Sequence, residues 1–325
     1  MSGLNMIDLF AGIGGIRLGF DKASKGQIKT VFSCEIEPRA CLTYKENFKD
    51  DPTGDITRVD EKMIPQFDIL AGGFPCQAFS VAGKRLGFSD TRGTLFFDVA
   101  RIIKEHQPSV VFLENVKGLI SHDKGKTFKI ILKTLKDLGY AVHWKILNAK
   151  DFGIPQKRAR IYIVGFNVNK IKNHADFKFP EETDLKPTID RVLDKHVDIR
   201  NFISKRYWNT LQKHKERHKN KGNGFGYEII PKGGIANTIV VGGMGRERNL
   251  VIDKSSPTNL GNINKDINDD QVRTMTVREW ARLQGYPDSF KFPVSNSAAY
   301  KQLGNSVVVK VIELIAEKIL EVIKK

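Results

Sequence analysis

The sequence predicts an α/β fold built on an open, mostly parallel sheet, with a smaller region inserted towards its C-terminal end. Short apolar runs recur that end on glycine or on a carboxylate, which is typical of parallel strands whose carboxyl ends carry the functional groups. The first of these runs continues through a glycine turn into a helical pattern. From about residue 181 charged residues, asparagines and glycines replace this order, which resumes at Thr276.

Length, composition and charge indicate a folded protein that binds a polyanion. The 325 residues are 40% hydrophobic, which is enough for a substantial core. A formal net charge of +16 favours a polyanionic partner, although a basic enzyme without such a partner would carry the same charge. The choice between these two interpretations therefore depends on the site.

The N-terminal residues and the cysteines indicate the cellular compartment and the absence of a metal site. The first residues lack the pattern of a secretory signal and no apolar run reaches transmembrane length, so we expect a cytoplasmic protein that binds no membrane. Cys34, Cys41 and Cys76 have no metal-ligand spacing, so we expect neither a metal site nor a disulfide framework.

The first element resembles the opening of a nucleotide-binding βα unit. A strand-like run at 5–10 is followed by a glycine turn at 11–15 and a helical pattern. Arg17 stands where the dinucleotide fingerprint has its third glycine, which leaves S-adenosylmethionine at least as well supported as NAD. Glu35 ends the next apolar run about 20 residues beyond Gly15, where a ribose-binding carboxylate belongs.

Asp55 follows a polar loop, and we expect it at the end of a third strand. A carboxylate there could accept a hydrogen bond from an adenine amino group. An equally good interpretation is that Asp55 caps a turn or the next helix.

The stretch around Cys76 predicts a nucleophile. The apolar run 68–71 ends at Gly72 and Gly73, so Pro75 and Cys76 come just past a predicted strand. The alternative is a buried structural cysteine, but a thiol on a proline-stiffened loop at a strand end suits nucleophilic chemistry better. Basic residues follow in a glycine-rich loop that we expect to close over a substrate: Lys84, Arg85 and Arg92.

Charged groups of the next elements complete the predicted catalytic site. The strand-like run 109–113 ends on Glu114, which can face Cys76 across the crevice of an open sheet. A helix at 127–138 and a strand at 141–147 provide scaffold. Arg158 and Arg160 share a face if extended, and paired arginines entering a strand are costly unless an anion or an oxygen-rich ligand meets them.

The inserted region has the character of a nucleic-acid-reading module. Residues 206–221 are strongly basic with aromatic residues near their start. Strand-like runs at 227–230, 237–241 and 249–252 argue against a disordered linker.

The chain then returns to ordered sequence. Thr276 and Glu279 form a capping-box pattern that predicts a helix start. An apolar helix at 307–323 carries Glu313, Glu317 and Glu321 on one face, so we expect it to dock on the core and not to anchor a membrane.

In type and order these motifs resemble those of bacterial DNA (cytosine-5) methyltransferases of restriction–modification systems, HhaI-like type II modification methylases in particular. The blocks that carry the resemblance are, in order, residues 8–15, 54–56, 73–77, 114–116, 156–160, 278–285 and 304–307. The resemblance implies a Rossmann-like S-adenosylmethionine-dependent methyltransferase domain with a small inserted target-recognition domain. It implies a catalytic and cofactor-binding domain at 1–184, target recognition at 185–272, a hinge and return segment at 273–299, and a C-terminal helix at 300–325 that completes the catalytic domain.

The resemblance also implies roles for single residues. Cys76 would add to carbon 6 of a flipped-out cytosine, Glu114 would act on ring N3, and Arg160 would hold O2 while Arg158 supports the substrate or the catalytic loop. Cofactor contacts are expected at Phe10, Gly12, Gly14, Gly15, Glu35, Ile36, Asp55, Ile56, Pro75, Asn305 and Val307. Ile36 stands where many relatives carry an aromatic residue, which implies looser packing on adenine. The predicted contacts to double-stranded DNA are Gln77, Ser80, Lys84, Arg85, Arg92, Lys213, Lys215, Arg217 and Thr238.

Three other functions fit the sequence less well. A tRNA cytosine methyltransferase would share the catalytic motifs, but its Cys-Phe-Thr marker is absent from residues 181–273. A non-catalytic DNA-binding protein would not need Cys76, Glu114 and Arg160 together, and a nicotinamide oxidoreductase is disfavoured by Arg17.

We expect a monomer with no obligate protein partner. The run 222–226 is similar to that of enzymes that modify short CCGG- or CCNGG-like sites.

Overall fold

The computed structural model describes residues 3–75, 95–259 and 261–324. In chain order, the strands are β1 (Leu4–Leu9), β2 (Ile28–Cys34), β3 (Ile69–Gly72), β4 (Val110–Val116), β5 (Tyr140–Asn148), β6 (Gln156–Lys157), β7 (Ala159–Asn167), β8 (Ala236–Asn237), β9 (Leu250–Ile252) and β10 (Val272–Thr274). The helices are α1 (Gly15–Ser24), α2 (Pro38–Phe48), α3 (Leu95–His106), α4 (Lys126–Asp137), α5 (Lys205–Asn220), α6 (Val277–Leu283), α7 (Asn296–Asn305) and α8 (Val309–Ile323).

Six of the described strands form the central sheet, in the order β2-β1-β3-β4-β7-β5. The pairs β1–β2, β1–β3 and β3–β4 are parallel, whereas β7 runs antiparallel to both β4 and β5. Because the chain moves from β1 to β2 on one side and then to β3 on the other, the strand order reverses between β1 and β3. A crevice at the carboxyl ends of these two strands is where open α/β sheets bind ligands.

Both faces of the sheet are covered, as the continuous apolar strands predict. Along β4, Val110 and Phe112 join one core cluster while Val111 and Leu113 join another, since successive side chains point to opposite faces. The first cluster contains apolar residues of α1 and α8, and the second contains those of α3 and α4. The predicted α/β fold is therefore confirmed.

The C-terminal helix α8 belongs to the core of the N-terminal sheet. Val311, Ile312, Ile315 and Ile319 are almost fully buried in the cluster that also contains Phe20 of α1. The expected docking helix is confirmed, although it begins at Val309 and not at Val307. No described helix is long and apolar enough to cross a membrane.

The region 185–272 has little regular structure apart from α5. A small cluster of Ile203, Trp208, Leu211, Leu250 and Val272 packs α5 against the β9–β10 pair. The predicted strands at 227–230 and 237–241 are wrong, because the first forms only an isolated bridge at Ile229 and the second is reduced to β8. The pair β9–β10 crosses position 272, where we expect the inserted domain to end, and that domain division stays a prediction.

The predicted capping box starts α6, and its glutamate has a second role. The Thr276 side chain accepts from the Glu279 backbone while the Glu279 carboxylate accepts from the Thr276 backbone. Glu279 also pairs with Arg273, at 2.8 Å between Oε1 and Nη2, and Arg273 in turn reaches Asp253. Arg273 and Glu279 are at most 1% exposed, so this ion pair ties β10 to α6 within the interior.

Candidate active site

A cavity of about 500 Å³ lies at the carboxyl ends of β1, β3 and β4, beside the point where the strand order reverses. Predicted cofactor residues that line it are Phe10, Gly12, Gly15, Glu35, Ile36, Pro75, Asn305 and Val307. The predicted catalytic residues Glu114, Arg158 and Arg160 line the same cavity. The fold thus brings together side chains from both ends of the chain, with α7 and the residues after it closing the wall.

The turn after β1 is shaped by close contacts and by strain. A side chain at Gly15 would place its Cβ 2.6 Å from the Tyr286 hydroxyl and 2.8 Å from Val307, so only glycine allows this approach. Phe10 has a φ of +54°, a conformation that costs a non-glycine residue about 1–3 kcal/mol. Such strain persists where surrounding structure requires it, here at the mouth of the cavity.

The Glu35 carboxylate is held by backbone donors. Its Oε2 accepts from the Gly12 amide at 2.8 Å, and its Oε1 accepts from the Glu37 amide at 2.8 Å. These bonds turn the side chain back over the β1 turn and hold it in the cavity wall. Each oxygen retains a lone pair for a further donor.

Three predicted cofactor residues are absent from the described lining of the cavity: Gly14, Asp55 and Ile56. The expected strand end at Asp55 is wrong, because Thr53 forms only an isolated bridge with Glu35. Asp55 instead caps the short 3-10 helix 56–58, accepting from the Thr57 amide at 3.0 Å and from its hydroxyl at 2.7 Å. Ile56 is buried in the core, and Gly14 is the N-cap residue of α1. Ile36, by contrast, is 68% exposed at the cavity rim.

Glu114 is a buried carboxyl group that faces Arg160. It lies inside β4 and not just beyond it, and it is 8% exposed. Arg160 of β7 places its Nε 3.3 Å from Glu114 Oε1. Burial raises the pKa of Glu114 above its ordinary value, and the charges of Arg160 and Arg158 offset this shift only in part. Glu114 is therefore suited to hold a proton or share one with a ligand.

The neighbouring Asn115 joins β4 to the residues that follow β3. Its Nδ2 donates to the Phe74 carbonyl at 2.7 Å, and its Oδ1 accepts from the Val116 amide at 2.8 Å. A Cβ at Gly73 would lie 3.5 Å from Glu114 Oε2, so the chain after β3 passes close to that carboxyl group. The sequence motif contained Asn115, but no local signal revealed its partner.

Arg158 is hydrogen-bonded to backbone carbonyls of distant segments, and its expected support of the substrate or the catalytic loop stays a prediction. It is 3% exposed, and its guanidinium donates to the carbonyls of Ile239 at 2.9 Å, Gly304 at 3.1 Å and Ser306. Burial and the adjacent charge of Arg160 lower the pKa of Arg158 to about 9, so it stays cationic at neutral pH. All its described hydrogen bonds go to backbone carbonyls, and they join three separate segments of the chain.

The remaining predicted site residues are distributed away from the cavity or lie outside the described residues. Thr238 donates through Oγ1 to the Lys157 carbonyl. Lys213, Lys215 and Arg217 are exposed on α5. The predicted residues outside the described part of the chain are Cys76, Gln77, Ser80, Lys84, Arg85 and Arg92. Two exposed cations that the sequence analysis did not select, Arg39 and Lys301, line the cavity, and no motif marks either of them.

Comparisons with known proteins agree with this geometry. The chain matches the family model described as C-5 cytosine-specific DNA methylase over residues 4–321. The type II methyltransferase M.HpaII of Haemophilus parainfluenzae is 57% identical over 322 residues, which cover 97% of this chain and 88% of that protein. The type II methyltransferase M.HhaI of Haemophilus parahaemolyticus is 41% identical over 321 residues, which cover 98% and 95% of the two chains.

A solved structure supports the fold independently of close sequence similarity. The methyltransferase EhMeth of Entamoeba histolytica superposes with a TM-score of 0.74 at 20% identity and covers 99% of this chain and 98% of that one. The family match spans nearly the whole chain and confirms the resemblance that the ordered motifs predict. The chain therefore belongs to the C-5 cytosine-specific DNA methylase family and is a DNA (cytosine-5) methyltransferase of the type II kind.

Proposed function

We propose that this protein methylates carbon 5 of a flipped-out cytosine in a short, specific sequence of double-stranded DNA, with S-adenosylmethionine as the methyl donor. Its role would be to protect host DNA from a cognate restriction endonuclease. The observation that carries the proposal is the buried Glu114–Arg160 pair in one cavity with Glu35 and Phe10. Pro75, which precedes Cys76 in the chain, lines that cavity too.

The cavity fits a nucleoside cofactor in size and chemistry. Its volume of about 500 Å³ lies within the usual range for small-molecule sites. Glu35 has lone pairs left for ribose hydroxyls, and Phe10, Ile36 and Val307 offer apolar surface. Pro75 and Asn305 lie in the same wall, and the bound cofactor would supply an electrophilic methyl group there.

The chemistry of cytosine explains why a thiol and a buried acid are needed together. Carbon 5 is a poor nucleophile, so the Cys76 thiolate would first form a bond to carbon 6. The electron pair displaced into the ring would be stabilised by a proton or hydrogen bond from Glu114 at N3, and carbon 5 would then be able to accept the methyl group. The methyl transfer would leave S-adenosylhomocysteine as the co-product. Transfer of the carbon 5 proton to water, with breakage of the carbon–sulfur bond, would then restore the aromatic ring and release the Cys76 thiolate.

Arg160 would hold the cytosine O2 and limit the rise in the pKa of Glu114. Its Nε already contacts Glu114 Oε1, so a base beside Glu114 would lie within reach of the same guanidinium. A stacked cytosine exposes neither carbon 6 nor N3 to protein groups, so the base would have to leave the duplex.

Target recognition is assigned to the inserted segment 185–272, between the catalytic and cofactor domain 1–184 and the return segment 273–299. Residues 300–325 would complete the catalytic domain. The exposed cations Lys213, Lys215 and Arg217 of α5 support this division, because exposed lysines and arginines suit phosphate contacts. The DNA would lie between the two regions.

Two measurements test the proposal. Bisulfite sequencing of plasmid DNA from cells that express the chain should reveal methylated cytosines within one short sequence. A duplex with 5-fluorocytosine at that position should then trap the wild-type protein covalently, because fluorine cannot leave as a proton does. Cys76→Ala should abolish the adduct and keep DNA binding, whereas an undiminished adduct in that variant would exclude Cys76 as the nucleophile. Methylation of tRNA in place of DNA would overturn the assigned substrate.

A further inference from the structure

Both backbone polar groups of Ile239, in the inserted segment, form hydrogen bonds with side chains that follow the β5 strand. Gln156 Oε1 accepts from the Ile239 amide at 3.2 Å, and Arg158 Nη1 donates to the Ile239 carbonyl at 2.9 Å. Just before it, β8 pairs in parallel with β6, and Thr238 donates to the Lys157 carbonyl. The segment 236–239 is thus fixed in register against 156–158.

The same side chains continue to residues 304–306 in the cavity wall, which comprise the end of α7 and the residue after it and which we call the α7 end. Arg158 Nη2 donates to the carbonyls of Gly304, at 3.1 Å, and Ser306. Gln156 Nε2 donates to Gln284 Oε1 at 3.2 Å, and Gln284 Nε2 donates to the Leu303 carbonyl at 2.7 Å. Gln156 and Gln284 are fully buried and Arg158 nearly so, so these bonds do not compete with water.

A direct backbone contact supports the link independently of the hydrogen bonds. A Cβ at Gly304 would lie 2.7 Å from Val241 Cγ2 and 3.1 Å from the Val241 nitrogen. Only glycine at position 304 lets the chain at 240–241 lie this close to the α7 end. Gly304, Asn305 and Ser306 all line the cavity.

We propose that Gln156, Arg158 and Gln284 are positioning residues that couple DNA recognition to cofactor binding. We call these three side chains the Ile239 clamp. This inference rests on the proposed function, in which the inserted segment reads DNA and the cavity binds S-adenosylmethionine. DNA that shifts or orders the segment around Ile239 must act on the α7 end as well, because separating the two would leave buried carbonyls unpaired. Each ligand then alters the affinity for the other by the same factor.

The coupling factor is measurable as the ratio of two affinities. The dissociation constant of S-adenosylhomocysteine is determined by calorimetry with the protein alone and with a duplex that carries the sequence mapped by bisulfite sequencing. We expect the duplex to lower the dissociation constant of S-adenosylhomocysteine for the wild type at least about fivefold, which is the lower end of usual allosteric coupling. Arg158→Lys should reduce the ratio to below about twofold, because one ammonium group cannot span the three carbonyls that the guanidinium fork reaches.

Two further variants separate coupling from general destabilisation. Gln156→Met releases the Ile239 amide and should lower the ratio, while binding of S-adenosylhomocysteine to the protein alone should change by less than about threefold, which is below the usual coupling range of about 5- to 150-fold. Asn268→Leu is the matched control, since Asn268 is a buried amide with bonds to Ile203 and Val272 and none to the α7 end. It should destabilise the protein and keep the ratio.

The outcomes separate the clamp from the proposed function. A wild-type ratio of one, or an unchanged ratio in both clamp variants, overturns the clamp. If Gln156→Met does not fold, the affinity ratios of two other variants decide the question. These variants are Arg158→Lys and Gly304→Ala, in which the added methyl group pushes against Val241. The proposed function fails separately, because it predicts the mapped methylation and the 5-fluorocytosine adduct, neither of which requires coupling.

Discussion

Asn115 donates a buried hydrogen bond of 2.7 Å to the carbonyl of Phe74, and this bond joins the end of β4 to the chain that leaves β3. Glu114 precedes Asn115, and Pro75 and Cys76 follow Phe74. One bond between residues 41 positions apart therefore influences the separation of the proposed acid and the chain that leads to the proposed nucleophile.

Replacement of Asn115 by alanine should impair chemistry more than cofactor binding. The unpaired Phe74 carbonyl would cost about 1–3 kcal/mol of stability. Misplacement of reacting groups by about 1 Å costs on the order of 10²-fold in rate, so we expect that loss in adduct formation with 5-fluorocytosine DNA. Asn173→Ala is the control. The Asn173 side chain donates a hydrogen bond of 2.8 Å to the Val322 carbonyl, and Asn173 does not line the cavity. Equal losses in both variants would show that stability alone is responsible.

Glu114→Gln should slow methyl transfer by about 10²- to 10⁴-fold, the usual contribution of a general acid. The glutamine keeps the size of the side chain and a hydrogen-bond donor but cannot deliver a proton. Because burial raises the pKa of Glu114, the wild-type rate should fall as pH rises through that pKa, while the residual rate of the variant should not. Single-turnover methylation across pH measures both effects, and full turnover by the variant at neutral pH would leave Glu114 a structural role.

Asp8→Asn should remove a pH dependence of stability. Asp8 is fully buried, and its two carboxylate oxygens have no partner of good hydrogen-bond geometry among the described residues, although Tyr44 and Arg17 lie close enough to favour its charged form. Burial raises the pKa of Asp8 well above its ordinary value of 3.8.

The sign of that pH dependence is set by which state binds the proton more tightly. Below the ordinary pKa both the folded and the unfolded chain hold the proton, and above it only the unfolded chain releases it until the raised folded pKa is reached. The free energy of unfolding of the wild type should therefore fall by up to about 1.4 kcal/mol per pH unit across this window. Urea unfolding at a series of pH values should show a flatter curve for Asp8→Asn. Asp137→Asn, at the exposed end of α4, should leave the curve of the wild type unchanged.

Neutralising Lys213, Lys215 and Arg217 to glutamine should make DNA affinity less sensitive to salt. The logarithm of affinity falls linearly with the logarithm of salt concentration, with a slope of about 0.9 for each neutralised phosphate, so the slope should decrease by that amount for every phosphate that the variant no longer binds. A control set with the same charge lies on the exposed face of α4 and consists of Lys129, Lys133 and Lys136. A slope that changes only in the control set would place the phosphate contacts on the catalytic domain.

Exchange of the segment 185–272 with that of a relative of different specificity should move methylation to the relative's site. Glycine- and asparagine-rich loops can reach base edges without altering the core that holds Glu114. Bisulfite mapping of the chimera, with adduct formation through Cys76 as a check on activity, measures the result. An active chimera that still modified the original sequence would assign recognition to loops of the catalytic domain.

Local patterns were sufficient for much of the fold. The strand, glycine turn and helix from β1 to α1, the capping box at Thr276 and the apolar helix α8 all depend on residues close in sequence, so periodicity and capping chemistry predict them. Glu35 and Glu114 could be selected because carboxyl ends of parallel strands meet at one edge of a sheet. Arg160, near the start of the antiparallel β7, was selected as one of two paired arginines that enter a strand.

Only the tertiary structure decided what the selected side chains touch. The sequence around Asp55 suits a strand end and a capping aspartate equally well, and its hydrogen bonds to Thr57 make it a cap. Arg158 lies two residues from Arg160, yet its partners lie 81, 146 and 148 positions away. Long-range hydrogen bonds depend on how distant segments pack, and no local periodicity encodes that. The sequence alone therefore determined the family of chemistry, while the packing of residues 236–241 against the end of α7 determined which arginine faces Glu114 and which joins these two segments.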